Sequence, residues 1–427
     1  MESGDKMYLW AKELFPITRS ITGEGVRKTL KYIKDNILDG LHIHSVPTGY
    51  KAFDWEVPKE WSITEAYIEN ETGEKIVDFK NNNLHVLGYS TPVDKWVMLD
   101  ELKNHLYSLP QQPDAIPYVT SYYKERWGFC LSDNQMKSLK PGKYHAVIKS
   151  NLKAGVLNYG ELILPGESDK EVFLSTYICH PSMANNELSG PVVTSALAEW
   201  LMTLTNRYYT YRIVFIPETI GSIVYISKHL EHLKNNVVAG FNITCIGDDR
   251  CYSFLPSRRG DTIADKAALH ALKYIDPQFK KYTWLQRGSD ERQYCSPGVD
   301  LPVTTIMRSK YGTYPQYHTS LDNLDFISPY GLQGGYDAVK QAIKIVDTNC
   351  YPMVTTYCEP QMGKRGLYST ISQKGSGGDT RLMMNFISYC DGTKTVLEIA
   401  EMLDAPYNQL FDIFTLLLSK NIVKLKR

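Results

Sequence analysis

His180, in the phrase Cys179-His180-Pro181-Ser182, and His318, in Tyr317-His318-Thr319-Ser320, are residue types that ligate a metal or move a proton near neutral pH. The apolar run at residues 172–178 precedes His180, so its imidazole is expected at the carboxyl end of a buried strand, where open α/β sheets place their sites. Three further strand ends add polar groups. Residues 212–216 lead to Glu218, residues 237–244 lead to Asp248 and Asp249, and the strand at 302–307 leads through 311–317 to His318. Nitrogen and carboxylate donors gathered from several strand ends suit zinc, which polarises a carbonyl and acidifies a bound water. A nearby carboxylate then moves the proton. On this reading Asp248 or Asp249 joins His180 and His318 around one metal and Glu218 is the general base. The same residues also suit a pocket that holds a ligand by hydrogen bonds with no metal, and both readings stand at this point. Asp290, Glu291, Arg292 and Tyr317 are candidates for substrate binding. Asp322 either orients His318 or caps the segment running into Leu324 and Phe326. Cys179 has no second histidine near it in sequence and reads as a buried thiol.

The elements that must position these groups follow from periodicity. Apolar residues at helical spacing predict two helices between residues 7 and 37, the second starting near Thr22. From 46 to 138 short β-prone pieces at 66–68, 75–78, 84–87 and 95–99 alternate with Asn, Gly and Pro turns, which reads as a small antiparallel β domain. Its Trp55, Trp61, Trp96 and Trp127 and the Tyr122-Tyr123 pair read as its core. After residue 143 strands at 145–150, 154–163, 171–178, 212–216, 237–244 and 302–307 alternate with helices at 190–204, 221–233, 264–274 and 330–347. That alternation predicts an α/β fold: a mixed, mainly parallel central sheet flanked by helices. The domain reading is 1–45 and 140–350 for the α/β domain, 46–139 for the insert, 363–380 for a glycine-rich linker and 381–427 for a winged-helix-like domain. The helix at 406–419 carries Asp412 and no Lys or Arg, whereas a DNA-reading helix needs cations, so the module is expected to contact protein or a second copy.

Composition excludes several classes. Lys+Arg and Asp+Glu both count 47 in 427 residues, which leaves no net field to recruit nucleic acid or an anionic membrane. No apolar run approaches the roughly 20 residues that span a bilayer. The N-terminal thirty residues carry charges throughout, and the eight cysteines lack paired spacing, so a cytoplasmic location is expected, with a homodimer as an added partner possibility.

The order and surroundings of His180, Glu218, residues 242–247, Ser289-Asp290 and His318-Thr319 resemble the zinc aminopeptidase family that also contains glutamate carboxypeptidase, the transferrin receptor ectodomain and glutaminyl cyclase. Pro217-Glu218-Thr219-Ile220-Gly221-Ser222 and Gly288-Ser289-Asp290-Glu291-Arg292 resemble more closely a bacterial subgroup. Its members join an aminopeptidase-like domain, an inserted β domain and a C-terminal winged helix, and often occur near polysaccharide-biosynthesis functions. The resemblance implies an aminopeptidase-like fold, metal ligands at His180, Asn186 and His318, and hydrolysis of an amide in a small peptide or amino-acyl conjugate. It also marks departures. Where the two-zinc members carry ligand carboxylates, this chain has Asn186, Thr219 and Thr244, so one zinc ion or none is expected. A scaffold that has lost catalysis and binds a metabolite or protein partner is the alternative.

Overall fold

The strand Ser168–Tyr177 is buried from Glu171 to its end and sits between two parallel neighbours, Tyr209–Ile216 and Val237–Ile243. Covered on both faces, such a strand needs apolar residues on both, which is why residues 172–174 run Val-Phe-Leu without alternation. In the computed structural model, which describes residues 3–367 and 378–426, this strand is part of an eight-stranded sheet. Val303–Met307 continues the parallel block, Val156–Leu164 at one side and Ser253–Leu255 at the other run antiparallel to it, and His42–Pro47 pairs antiparallel with Val156–Leu164 at the outer edge. The chain is thus mixed α/β with a mainly parallel centre, as the alternation predicts. Four parallel strands end at one edge, and each hands a loop to the site.

The helix Ser189–Thr203 packs on this sheet, close enough that Gly190 has no room for a side chain. A Cβ there would lie 2.4 Å from Thr176 Oγ1 and 2.5 Å from the Ile243 carbonyl oxygen. The two N-terminal helices form at Ser3–Leu14 and Glu24–Asn36, and the latter turns Val26, Leu30 and Ile33 inward.

The insert is a four-stranded antiparallel sheet. Its longest pairing joins Glu60–Asn70 to Lys143–Lys153, which also pairs with Val93–Met98. The insert therefore reaches beyond residue 139, and the strand expected at 145–150 belongs to it rather than to the α/β domain. Chain enters and leaves the insert where Pro47 lies opposite Val156 in the antiparallel ladder. The strand expected at 84–87 is replaced by a 3₁₀ turn at Asn83–His85, because the Asn82 side chain accepts from the Leu84 N–H at 2.9 Å and closes a turn instead of a ladder.

The chain divides into two units, residues 1–265 with 278–339 and residues 266–277 with 340–427. In the second, helices Gly378–Ser388, Val396–Met402 and Tyr407–Ser419 are accompanied by a two-stranded sheet of Tyr351–Val354 against Val423–Lys426. The winged-helix module thus starts before residue 381, since its sheet uses a strand ahead of the glycine-rich stretch. Of the linker at 363–380, Gly363–Arg365 forms a 3₁₀ turn and residues 368–377 lie outside the described residues. No helix among the described residues is long and apolar enough to cross a membrane.

A buried histidine staples this second unit. His270 pairs through Nδ1 with Glu401, and its Nε2 accepts the Tyr407 N–H at 2.9 Å. Burial, the largest influence, holds His270 below its ordinary value although Glu401 pulls the other way. The folded form thus binds the proton less tightly than the unfolded chain. The stability from this contact is complete above the unfolded value of about 6.5 and is lost as pH falls below it. Melting the full chain at about pH 7.5 and about pH 5.5 should show a drop that His270→Gln reduces; an equal drop in the variant would remove His270 as the cause.

Candidate active site

Sequence-distant loops meet at the carboxyl edge of the parallel strands. After Ser168–Tyr177 the chain passes His180 and makes one π-helical turn at Ala184–Leu188 before the helix Ser189–Thr203. π turns of this kind concentrate at functional sites. Asp322 accepts the N–H groups of Asn185 and Asn186 at 2.7 and 2.9 Å, and its own carbonyl accepts the Ala184 N–H at 2.8 Å. It therefore caps the π turn, neither orienting His318 nor capping the segment after it. This lock brings the His180 and His318 rings to a centroid separation of 5.4 Å.

His180 is held from behind. Its backbone N–H and its Nδ1 meet Glu187 Oε2 at 3.0 and 2.9 Å, while Glu187 Oε1 lies 3.2 Å from the Arg19 guanidinium. Both Glu187 and Arg19 side chains are fully buried, and Arg19 also donates to the His180 carbonyl. Burial pulls the His180 value down, but the Glu187 bond and charge outweigh it and the net shift is upward. Nδ1–H pointing at a carboxylate leaves Nε2 to face the cavity. Glu218 Oε2 stands 3.6 Å from that Nε2. Burial pushes the Glu218 carboxyl up, and His180 and Arg292 oppose the shift.

His318 takes the left-handed backbone region, with φ 57°, and stacks on Tyr317 at 3.9 Å. Tyr118 meets it edge-on at 5.2 Å. Its Nε2 is buried and has no hydrogen-bond partner among the described residues, and burial together with His180 pushes its value down to about 3. Thr219 shares the left-handed region, with φ 64°; its N–H is accepted by Asp290 Oδ1 at 2.7 Å. Strained non-glycine residues of this kind persist where surrounding contacts hold them.

His180, Glu218, Arg292 and His318 line one cavity of about 320 Å³ together with Cys179, Thr219 and a wall from the insert: Trp55, Tyr118, Thr120, Tyr122 and Tyr123. The other expected residues lie elsewhere. Asp248 does not reach back to the histidines: its oxygens accept from Asn185 Nδ2, the Ser309 N–H and hydroxyl, and the Arg250 N–H. Asp249 accepts from Ser328 at 2.6 Å. Glu291 is a brace rather than a wall, taking the Gly288 and Ser289 N–H groups, the Tyr311 hydroxyl and Asn242 Nδ2. Asp290 is fully buried, bonded to Thr219 and Ser222, and burial and Glu218 both push its value up. Tyr317 supports His318 without lining the cavity. Asn186 belongs to a neutral network. The Tyr177 hydroxyl donates to Asn186 Oδ1 at 3.0 Å and lies 2.5 Å from Thr244 Oγ1.

Among the described residues, the group of His, Cys, Asp and Glu with ligand atoms within 4.8 Å of one another is Cys179, His180 and Glu187. That trio is no cation site, because the Arg19 guanidinium already neutralises Glu187 and burial keeps the Cys179 thiol protonated. A carboxylate-bridged pair of ions does not fit either, since Asn186 and Thr244 are neutral and are joined through Tyr177. What remains, the His180 and His318 imidazoles, suits one ion held by two nitrogens; Glu218 does not join them in a group of three ligand atoms mutually within 4.8 Å, and the His318 Nε2 is left without a hydrogen-bond partner among the described residues.

Sequence reasoning missed Glu187, Arg19 and the insert's wall. Glu187 lies seven positions after His180, in the π turn that opens the following helix, and its acidic side chain so near the histidine is a usable signal. The Tyr122-Tyr123 pair was read as core; Tyr123 is 61% exposed and Trp55 39%.

Comparison with known proteins bears on the family and the fold. A family model described as a domain of unknown function, DUF4910, matches residues 8–349, and one described as a winged helix-turn-helix matches residues 349–425. A Clostridium acetobutylicum protein, provisionally named a polysaccharide biosynthesis protein with an aminopeptidase-like domain, is 44% identical over 404 residues, or 93% of this chain and 91% of that protein. A crystal structure of a Clostridium acetobutylicum protein, provisionally named a peptidase, has TM-score 0.93 at 41% identity over 99% of this chain and 96% of its own. Zinc aminopeptidases from Bacillus subtilis (TM-score 0.59, 12% identity, 80% of this chain and 95% of that one) and Aneurinibacillus sp. strain AM-1 (0.52, 14%, 80% and 93%) share the fold. The chain therefore belongs to the DUF4910 family, an aminopeptidase-like α/β fold with an inserted β domain and a winged helix at its C-terminal end.

Proposed function

We propose that the protein is a hydrolase that cleaves an amide bond in a small molecule, with Glu218 taking the proton from the attacking water and returning it to the leaving nitrogen. The observation that carries this reading is one carboxylate and two imidazole rings lining a single cavity, with the carboxylate 3.6 Å from the His180 Nε2 and the rings 5.4 Å apart. A general base must come within hydrogen-bond reach of the water it deprotonates, and Glu218 opens onto the cavity beside His180. Glu187 fixes the His180 tautomer, Tyr317 and Tyr118 hold the His318 ring, and the insert's tyrosines limit the water that reaches the bond. A zinc ion, when bound, would be held by His180 and His318 and would polarise the amide carbonyl. Two imidazoles bind zinc weakly, so such an ion would exchange readily unless Glu218 joins it. The Clostridium relative's name supports placing the amide in a building block of a polysaccharide. A second reading, a binding scaffold without catalysis, draws support from Asn186, Thr219 and Thr244 at the positions of the lost carboxylates.

Amine release can be followed from leucine anilide, N-acetylleucine and N-acetylated amino sugars. Glu218→Gln should lower any turnover by about 10²- to 10⁴-fold while ligand binding survives. Turnover unchanged in the variant, or absent in the native protein across the panel, would leave the scaffold reading standing. Zinc titrated into chelator-stripped protein should bind at one equivalent and fail to bind His318→Ala; two equivalents would contradict the one-ion fit. Glu187→Gln should weaken that zinc binding about 10- to 100-fold. It should also cost about 3 kcal/mol in denaturant unfolding, because Arg19 is left buried without its anion.

A further inference from the structure

Resting on the hydrolase reading, we propose that the bond cut belongs to an anionic, N-acylated sugar, selected by charge at Arg292 and by ring stacking on the insert. Charge argues first. Arg292 lines the cavity, is exposed, and donates to the neutral Thr219 hydroxyl at 2.8 Å. Among the described residues no carboxylate lies within ion-pairing distance of it. Its two acidic sequence neighbours are turned into the protein, Glu291 onto four donors and Asp290 onto Thr219 and Ser222. A cation left without a partner beside a half-enclosed space attracts an anion and repels the free α-ammonium group that an aminopeptidase substrate must present. Glu218 is the one carboxylate on the lining, and the reaction needs it as base.

Shape and surface chemistry argue the rest. One part of the lining comes from the insert, with Trp55 and Tyr123 both exposed and their rings 6.0 Å apart. Aromatic faces of this kind pack against the flat C–H face of a sugar ring. The same lining carries hydroxyl-bearing residues: Thr120, Thr219 and the Tyr118–Tyr122 pair, whose oxygens are 2.7 Å apart. A peptide side chain would need only the apolar part of this lining, whereas a sugar uses both. The cavity volume, about 320 Å³, is at the lower end of ligand sites and suits one ring with its substituents.

Calorimetry on full-length Glu218→Gln protein, which holds a ligand without turning it over, tests the assignment. The probes are N-acetylmuramic acid, N-acetylglucosamine 1-phosphate, N-acetylglucosamine, N-acetylleucine and leucinamide. At least one charged sugar should bind about tenfold more tightly than N-acetylglucosamine, and which one does so distinguishes a carboxylate from a phosphate. Adding Arg292→Gln should erase that gap while leaving the neutral sugar unchanged. Adding Tyr123→Ala should weaken all three sugars and spare N-acetylleucine. The proposal is overturned if no sugar binds, if leucinamide matches the charged sugars, or if the gap survives Arg292→Gln. Charged sugars that bind but yield no amine with the native protein would sink the hydrolase reading and leave the selection by Arg292 and the insert as that of a binding site. Leucine anilide cleaved by a protein that binds no sugar would sink this proposal alone.

Discussion

One carboxylate, Asp322, accepts two backbone N–H groups of the π turn that carries Asn185 and Asn186, while its own carbonyl takes a third. Each of those N–H groups is buried, and leaving one unpaired costs on the order of 1–3 kcal/mol. The lock joins the loop after Ser168–Tyr177 to the loop after Val303–Met307. Without it the two imidazoles would belong to separate loops with no reason to share a cavity. The insert adds a second tie across the same region. The Tyr118 N–H donates to the His318 carbonyl at 2.9 Å, and Ile116 and Ser320 exchange hydrogen bonds. The left-handed backbone of His318 is thus held from two sides, which is how a strained residue is retained.

Around this lock the interior has been made electrically quiet on one side and charged on the other. Toward the sheet, Tyr177, Asn186 and Thr244 satisfy one another without a formal charge. Toward the N-terminal helices, Arg19 and Glu187 form a fully buried pair whose carboxylate holds His180. Buried pairs contribute little net stability but are costly to break by halves. Their value here is directional: the imidazole has one tautomer and one orientation. In that neutral network a hydroxyl, an amide and a phenol close a hydrogen-bonded chain where carboxylates would demand cations.

Much of this was legible in the chain itself. His180, Glu218 and His318 follow apolar runs of strand length, and parallel strands deliver whatever follows them to one edge, so their convergence could be argued from periodicity alone. Asp248 also follows a strand, yet it turns inward to Ser309 and Asn185; sequence order gives the edge but not the direction of a short side chain. Glu291 and Arg292 are adjacent and point to opposite fates, a brace and a cavity wall, because the short helix Glu291–Tyr294 turns one inward and the other outward. The insert's aromatics could not be sorted into core and wall from composition, since that depends on where the inserted sheet docks. Trp61 is buried and donates to the Ser90 carbonyl, while Trp55, six positions earlier, faces the cavity.

The insert leaves and rejoins the main sheet at neighbouring points, with Pro47 facing Val156 across one rung of the ladder. That rung closes a loop of about a hundred residues, and contacts so far apart in the chain form late because the entropy of closure must be met first. The wall over Glu218 is built from residues inside that loop, and the α/β sheet contains strands from both sides of it. Renaturation should then proceed with helices and local hairpins appearing early and the completed pocket emerging last, as a slow phase set by chain topology rather than by any single residue.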